Sequence, residues 1–137
     1  MGPARAEIVG LYEHYLACCN ERRLDELAGL VAEEVAGSGS VDGRAAYVER
    51  VADVLRAFPD YRWDLQEVLV DGSTVVARLR GSGTHEGPLG AIAPTGRRVE
   101  VQELVVYRFA GGLVTHCWGD LFPVLRDALT APEDVTG

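Results

Sequence analysis

Apolar side chains recur at Ile8, Leu11, Tyr12, Tyr15, Leu16 and Cys19, three and four residues apart. That spacing predicts an amphipathic helix over 4–20. A short second helix is expected over about 24–30, where Asp25 and Glu26 suit a helix N-terminus. The segment 36–43 (AGSGSVDG) has the composition of a loop. Tyr47, Val51, Val54, Leu55 and Phe58 then mark a third helix, stopped by Pro59. Beyond Pro59 the period changes to two. Strands are predicted at 62–70, 74–85, 97–109 and 113–122. Asp71-Gly72-Ser73 and Gly111-Gly112 supply hairpin turns, and the Gly- and Pro-rich stretch 86–96 a loop. The tail after about residue 129 is polar and expected to fray. Helices followed by hairpin-linked strands predict an α+β domain. Three N-terminal helices would pack on a curved, mostly antiparallel sheet, forming a cone with an internal pocket.

The 137 residues fit a single domain, 1–137, with its core over about 5–130. The chain is 47% hydrophobic but only 7% aromatic, so Val, Leu and Ala must build most of the core. The net charge of -8 argues against nucleic acid and against an anionic membrane surface, both of which need a basic face. All 13 basic residues are arginine, so no Schiff-base lysine exists. Cys18, Cys19 and Cys117 are odd in number and lack CxxC spacing. They read as free thiols in a reducing compartment. With no apolar signal segment or span, a cytoplasmic protein is expected.

An ordered set of segments carries a resemblance: AFPDYRW at 57–63, DG at 71–72, GTHEGPLG at 83–90, PTGRRV at 94–99, VYRF at 106–109 and HCWGD at 116–120. The chain resembles the SnoaL-like polyketide cyclases of the nuclear-transport-factor-type cone superfamily, over roughly 5–130. The resemblance implies the cone fold and ring closure by intramolecular aldol chemistry without metal or cofactor. Relatives open epoxides or isomerise ketones. The family pattern places its acid/base carboxylate four residues after the strand tryptophan. Here that position is Phe122, and the nearest acid is Asp120.

Val114, His116, Trp118, Asp120 and Phe122 would share one face of the last strand. With a two-residue Gly111-Gly112 turn, Tyr107 lies opposite His116, Val105 opposite Trp118, and Glu103 opposite Asp120, about 5 Å apart at Cβ. Two carboxyls side by side in an apolar pocket cannot both ionise easily, and the pair could then serve as base and acid. The competing reading is a solvated face, or a bulge that shifts the register by one. His116 can exchange a proton near neutrality, or be a hydrogen-bonded rim histidine. His85 is expected to anchor the 86–96 loop through a backbone carbonyl. Arg78 could hold a ligand oxygen, or join an outward basic stripe with Arg80. Tyr12, Tyr15, Tyr47, Trp63 and Trp118 could line the pocket, with Tyr15 and Trp118 preferred. Cys117, pointing away from Trp118, reads as inert packing, and His14 as solvated.

The expected function is cofactor-independent acid/base cyclisation of a hydrophobic, oxygenated small molecule in natural-product biosynthesis, by aldol closure or epoxide opening. Asp120, His116 and Glu103 are the catalytic candidates. Trp118, Tyr15, Arg78, His85, Tyr107 and Phe122 are the substrate-binding ones. No metal is expected. The rival is a non-catalytic binding or dimerisation module of the same fold. Both sheet faces carry apolar side chains (Val99 and Val101 on one, Leu104 and Val106 on the other), which predicts a homodimer through the sheet.

Overall fold

A computed structural model describes residues 4–37 and 43–132. The elements run α1 (Arg5–Asn20), α2 (Leu24–Ala28), β1 (Val31–Gly37), α3 (Arg44–Ala57), β2 (Arg62–Asp71), β3 (Thr74–Thr84), β4 (Arg98–Ala110), β5 (Leu113–Gly119) and α4 (Leu121–Thr130). The five strands form one sheet in the order β1-β5-β4-β3-β2, with β1 parallel to β5 and every other pair antiparallel.

The expected α+β architecture holds, with two additions. Part of the segment read as a loop belongs to β1, whose polar centre, Glu33-Glu34, hides its strand character. Only Val31 and Val35 of β1 are buried, and they are four residues apart because the pairing with β5 is irregular between Val31 and Ala36. The remainder of the expected loop, 38–42, lies outside the described residues. The second addition is α4. The chain leaves the sheet after Gly119, so Leu121 and Phe122 are helical rather than the end of a strand. Pro123 is accommodated because the first-turn amides of a helix have no intrahelical acceptor. Leu125 and Leu129, four apart, are buried. Burial of such side chains contributes about 2 kcal/mol each. Arg97 closes the far end of α4, its Nη1 donating to the carbonyls of Ala128, Leu129 and Ala131 at 3.2, 3.3 and 2.7 Å. The expected fraying after about Leu129 does not apply to Thr130 and Ala131, which are held at the end of α4, and 133–137 lie outside the described residues.

One sheet face is covered by α1, which packs on β2, by α3 on β1 and by α4 on β4. Ile8 and Tyr12 of α1, Val54 of α3 and Val75, Ala77 and Leu79 of β3 are buried there. Asn20 ties the end of α1 to the start of β2. Its side chain donates to the Trp63 carbonyl at 2.9 Å and accepts the Trp63 N–H at 2.8 Å. The opposite sheet face leaves Leu69, Val76, Leu104 and Trp118 exposed.

One irregularity decides which side chains meet. The Gly111-Gly112 turn has positive φ at both glycines, and Ala110 pairs with Leu113 as the two-residue turn requires. Phe109 then pairs with Val114, but Arg108 pairs with His116, so Thr115 is an extra residue. A bulge of this kind reverses the facing of every later side chain on its strand. Tyr107 consequently opposes Cys117, Val106 opposes Trp118 and Val105 opposes Gly119.

Candidate active site

Between the helices and the inner sheet face lies a cavity of about 320 Å³. Tyr15 and Cys19 of α1 border it, as do Tyr47, Arg50 and Val54 of α3, Trp63 of β2, and Leu121 and Phe122 of α4. The sheet contributes Glu103, Tyr107, Cys117 and Gly119. Most of this lining is apolar or aromatic, the usual composition of a small-molecule site.

Glu103 is the exception. It is 6% exposed, on a β4 face otherwise occupied by Val105, Tyr107 and Phe109. Its Oε1 has no hydrogen-bond partner among the described residues. Room for the carboxyl comes from Gly119, where a Cβ would lie 3.1 Å from Val105 Cγ2 and 3.5 Å from Glu103 Oε2. Burial disfavours the carboxylate, and the charge of Asp120 adds to the effect, while the Trp63 side chain opposes it. Together they push the Glu103 carboxyl up to about 7. Near neutrality the group is therefore divided between acid and base forms.

Around it stand tyrosines. The Tyr15 and Tyr47 hydroxyls are 2.5 Å apart, and the Tyr107 ring packs edge-on to Tyr15 with centroids 5.3 Å apart. Burial raises the Tyr15, Tyr47 and Tyr107 phenols well above their ordinary range, so all three stay protonated and can donate. Cys117 also faces the cavity. Burial pushes its thiol up to about 12, which leaves it protonated and non-nucleophilic.

Six of the site and pocket residues named from the sequence meet here: the candidates Glu103, Tyr15, Tyr107 and Phe122, and Tyr47 and Trp63 from the wider aromatic set. The others stand elsewhere. The Thr115 bulge turns His116 and Trp118 to the outer face, where their rings stack at 5.0 Å and the Arg108 guanidinium lies 5.3 Å from the Trp118 ring. Trp118 is 38% exposed, contrary to its expected place in the pocket. Asp120 does not border the cavity. Its Oδ1 accepts the Leu104 N–H at 2.9 Å, where the chain passes from β5 into α4. Arg78 pairs with Glu67 at 3.2 Å and Arg80 with Glu100 at 2.8 Å, the outward stripe that was the alternative reading. His85 is fully buried, but away from the cavity lining. Its Nδ1 accepts the Thr95 N–H at 3.1 Å and lies 2.9 Å from the Thr95 hydroxyl, so it anchors the loop through the Thr95 amide. His14 is exposed, as expected, and also pairs with Glu26 at 2.6 Å.

Trp63, not Trp118, is the cavity tryptophan, and Cys117 lines it instead of packing passively. Arg50 carried no expectation at all. Its signal was its place on the helical face of Tyr47, Val51 and Val54, three or four residues from each apart from its neighbour Val51.

The family model for SnoaL-like polyketide cyclases matches residues 9–127. Among solved structures, TsrD from Streptomyces laurentii is 27% identical, with a TM-score of 0.83 over 95% of this chain and 99% of that one. A SnoaL-like polyketide cyclase from Agrobacterium tumefaciens is 26% identical, with a TM-score of 0.74 over 82% of this chain and 88% of that one. Among curated proteins none matches. No helix among the described residues is long and apolar enough to cross a membrane.

Proposed function

Since the chain belongs to the SnoaL-like polyketide cyclase family, we propose that it closes a ring in a hydrophobic, oxygenated small molecule by acid/base chemistry, with Glu103 as the proton carrier. The observation that supports this most is the buried, partnerless Oε1 of Glu103 in an apolar cavity. Such a carboxyl costs stability, and a group whose proton affinity is matched to neutral pH in a cavity is what general acid/base catalysis needs.

In this reading the Glu103 carboxylate removes a proton from a carbon next to a ketone. A hydroxyl of the Tyr15–Tyr47 pair donates to the ketone oxygen, where negative charge develops. The enolate carbon attacks a second carbonyl of the same molecule, forming the ring bond. The protonated Glu103 then returns its proton to the new alkoxide. Atoms and charge balance without a co-reactant. The cavity walls hold the two ends of one molecule together, which lowers the entropic barrier to closure.

Asp120 has a different part from the one expected of it. Held by the Leu104 amide, its charge adds to the larger effect of burial in raising the Glu103 carboxyl. A binding module without chemistry is the rival, but it gives no reason to retain an acid at Glu103. The two are separated by deuterium exchange at the activated carbon of 2-tetralone, a bicyclic ketone, in D2O. The wild-type protein should accelerate exchange, and Glu103→Gln should reduce that acceleration by about 100-fold or more. Equal rates for the two proteins would reject the assignment.

A second copy of the chain is the proposed cover for the outer sheet face, where Leu69, Val76, Leu104 and Trp118 are exposed, with the Arg78–Glu67 and Arg80–Glu100 pairs towards one end and Arg108 and His116 towards the other. An apolar centre with polar flanks suits a two-fold contact.

A further inference from the structure

Among the described residues Arg50 is the one cation that lines the cavity, and most arginines elsewhere in the chain are engaged differently. Arg23, Arg56, Arg62, Arg78, Arg80, Arg98 and Arg126 each approach a carboxylate. Arg5, Arg22, Arg44 and Arg97 donate to backbone carbonyls. Arg108, on the outer face beside Trp118, does neither among the described residues, and nor does Arg50, which alone of the two lines the cavity. Its guanidinium lies over the Phe122 ring, 4.2 Å from the centroid, and both side chains line the cavity. The acids nearest to it on α3, Glu49 and Asp53, are both engaged by Arg56.

In a chain of net charge -8, with 21 acidic residues, carboxylates are not scarce. A guanidinium partly withdrawn from water without one keeps its hydrogen-bond donors available to a ligand. Phe122 contributes to this. An acid at that position would sit against Arg50 and neutralise it. The phenyl ring instead supports the guanidinium from one side by a cation–π contact and leaves its edge for another partner.

We propose that Arg50 binds an anionic group of the substrate, so that the molecule taken up is an apolar ring compound carrying a carboxylate. This rests on the reading of the cavity as a substrate site and adds the chemical class of what enters it. The carboxylate pairs with the planar fork of Arg50 beside Phe122. The apolar body lies among Val54, Trp63 and Tyr107, within the same cavity as Glu103. Arg50 is thus a selectivity residue, separate from the group that moves the proton.

The test uses two probes of nearly equal shape, 2-naphthoate and the neutral 2-acetylnaphthalene, in calorimetric titrations of the full chain. The wild-type protein should bind naphthoate about tenfold or more tightly than acetylnaphthalene, the size expected of a charge-assisted hydrogen bond. Arg50→Gln should abolish that preference. Arg50→Lys, which keeps the charge, should retain part of it. Failure of naphthoate to bind, the absence of a preference in the wild type, or a preference that survives in Arg50→Gln would overturn the proposal. Its failure is distinguishable from that of the proposed chemistry. Naphthoate selectivity is read without turnover, and the loss of exchange in Glu103→Gln is read on a neutral ketone.

Discussion

Replacing Glu103 by Gln should change how stability depends on pH, in a direction and amount the structure specifies. The carboxyl is raised from 4.5 to about 7 on folding. Below its unfolded value both states hold the proton, and the group contributes no pH dependence. Between the two values the folded state holds a proton that the unfolded state has lost, so stability falls as pH rises. Above the folded value the full cost is present. Each pKa unit corresponds to about 1.4 kcal/mol, so the cost is on the order of 3 kcal/mol. With Glu103 only 6% exposed, solvent screening takes little from it. A domain of this size has a total stability of about 5–15 kcal/mol, so the effect is large enough to measure. Glutamine preserves the shape and cannot titrate. Urea unfolding at a series of pH values, followed by tryptophan fluorescence, gives the stability difference between Glu103→Gln and wild type. That difference should rise by about 3 kcal/mol in favour of the variant between pH 4 and pH 8, whatever its constant offset. A flat difference, or one that completes its change near the ordinary carboxylate pKa, would refute the burial argument.

Two other outcomes follow from the fold. Leu104→Glu, on the exposed sheet face, should convert a dimer to a monomer in light scattering, and a wild-type monomer at micromolar concentration would contradict the proposed contact. Asn20→Ala removes both side-chain bonds to the Trp63 backbone. It should cost about 2 kcal/mol and lower the melting temperature by roughly 5–10 °C, and an unchanged Tm would show that these bonds do not hold β2 to α1.

The elements legible in the sequence are those whose apolar positions repeat cleanly. α1 and α3 show the helical spacing, and β3 and β4 alternate regularly, whereas β2 was recognised despite an irregularity between Leu65 and Glu67. β1 was not legible because its two buried valines are four residues apart, a helical spacing produced by irregular pairing in a strand. α4 could have been found from Leu121, Leu125 and Leu129, one helical face, with Pro123 in the first turn. The site divides along the same line. Glu103 and Tyr107 reach the cavity as expected because β4 is regular up to Arg108, although the partners expected opposite them do not. The β5 residues were misplaced because His116, Trp118 and Asp120 alternate as convincingly as Cys117 and Gly119 do. Nothing in the sequence marks Thr115 as the extra residue. Its hydroxyl donates to the Arg108 carbonyl at 3.2 Å, an interaction visible only in three dimensions.

The central claim is that Glu103, held near neutrality by burial and by Asp120, is the group that moves the proton. The most direct measurement is the pH dependence of kcat/KM for 2-tetralone deuterium exchange in wild type and in Asp120→Asn. Exchange by the wild type should rise with pH through a single midpoint at about 7, because the carboxylate is the active form. Removing the Asp120 charge should move that midpoint to lower pH while activity above it persists. A profile with no midpoint in this range, or one that Asp120→Asn leaves in place, would contradict the account.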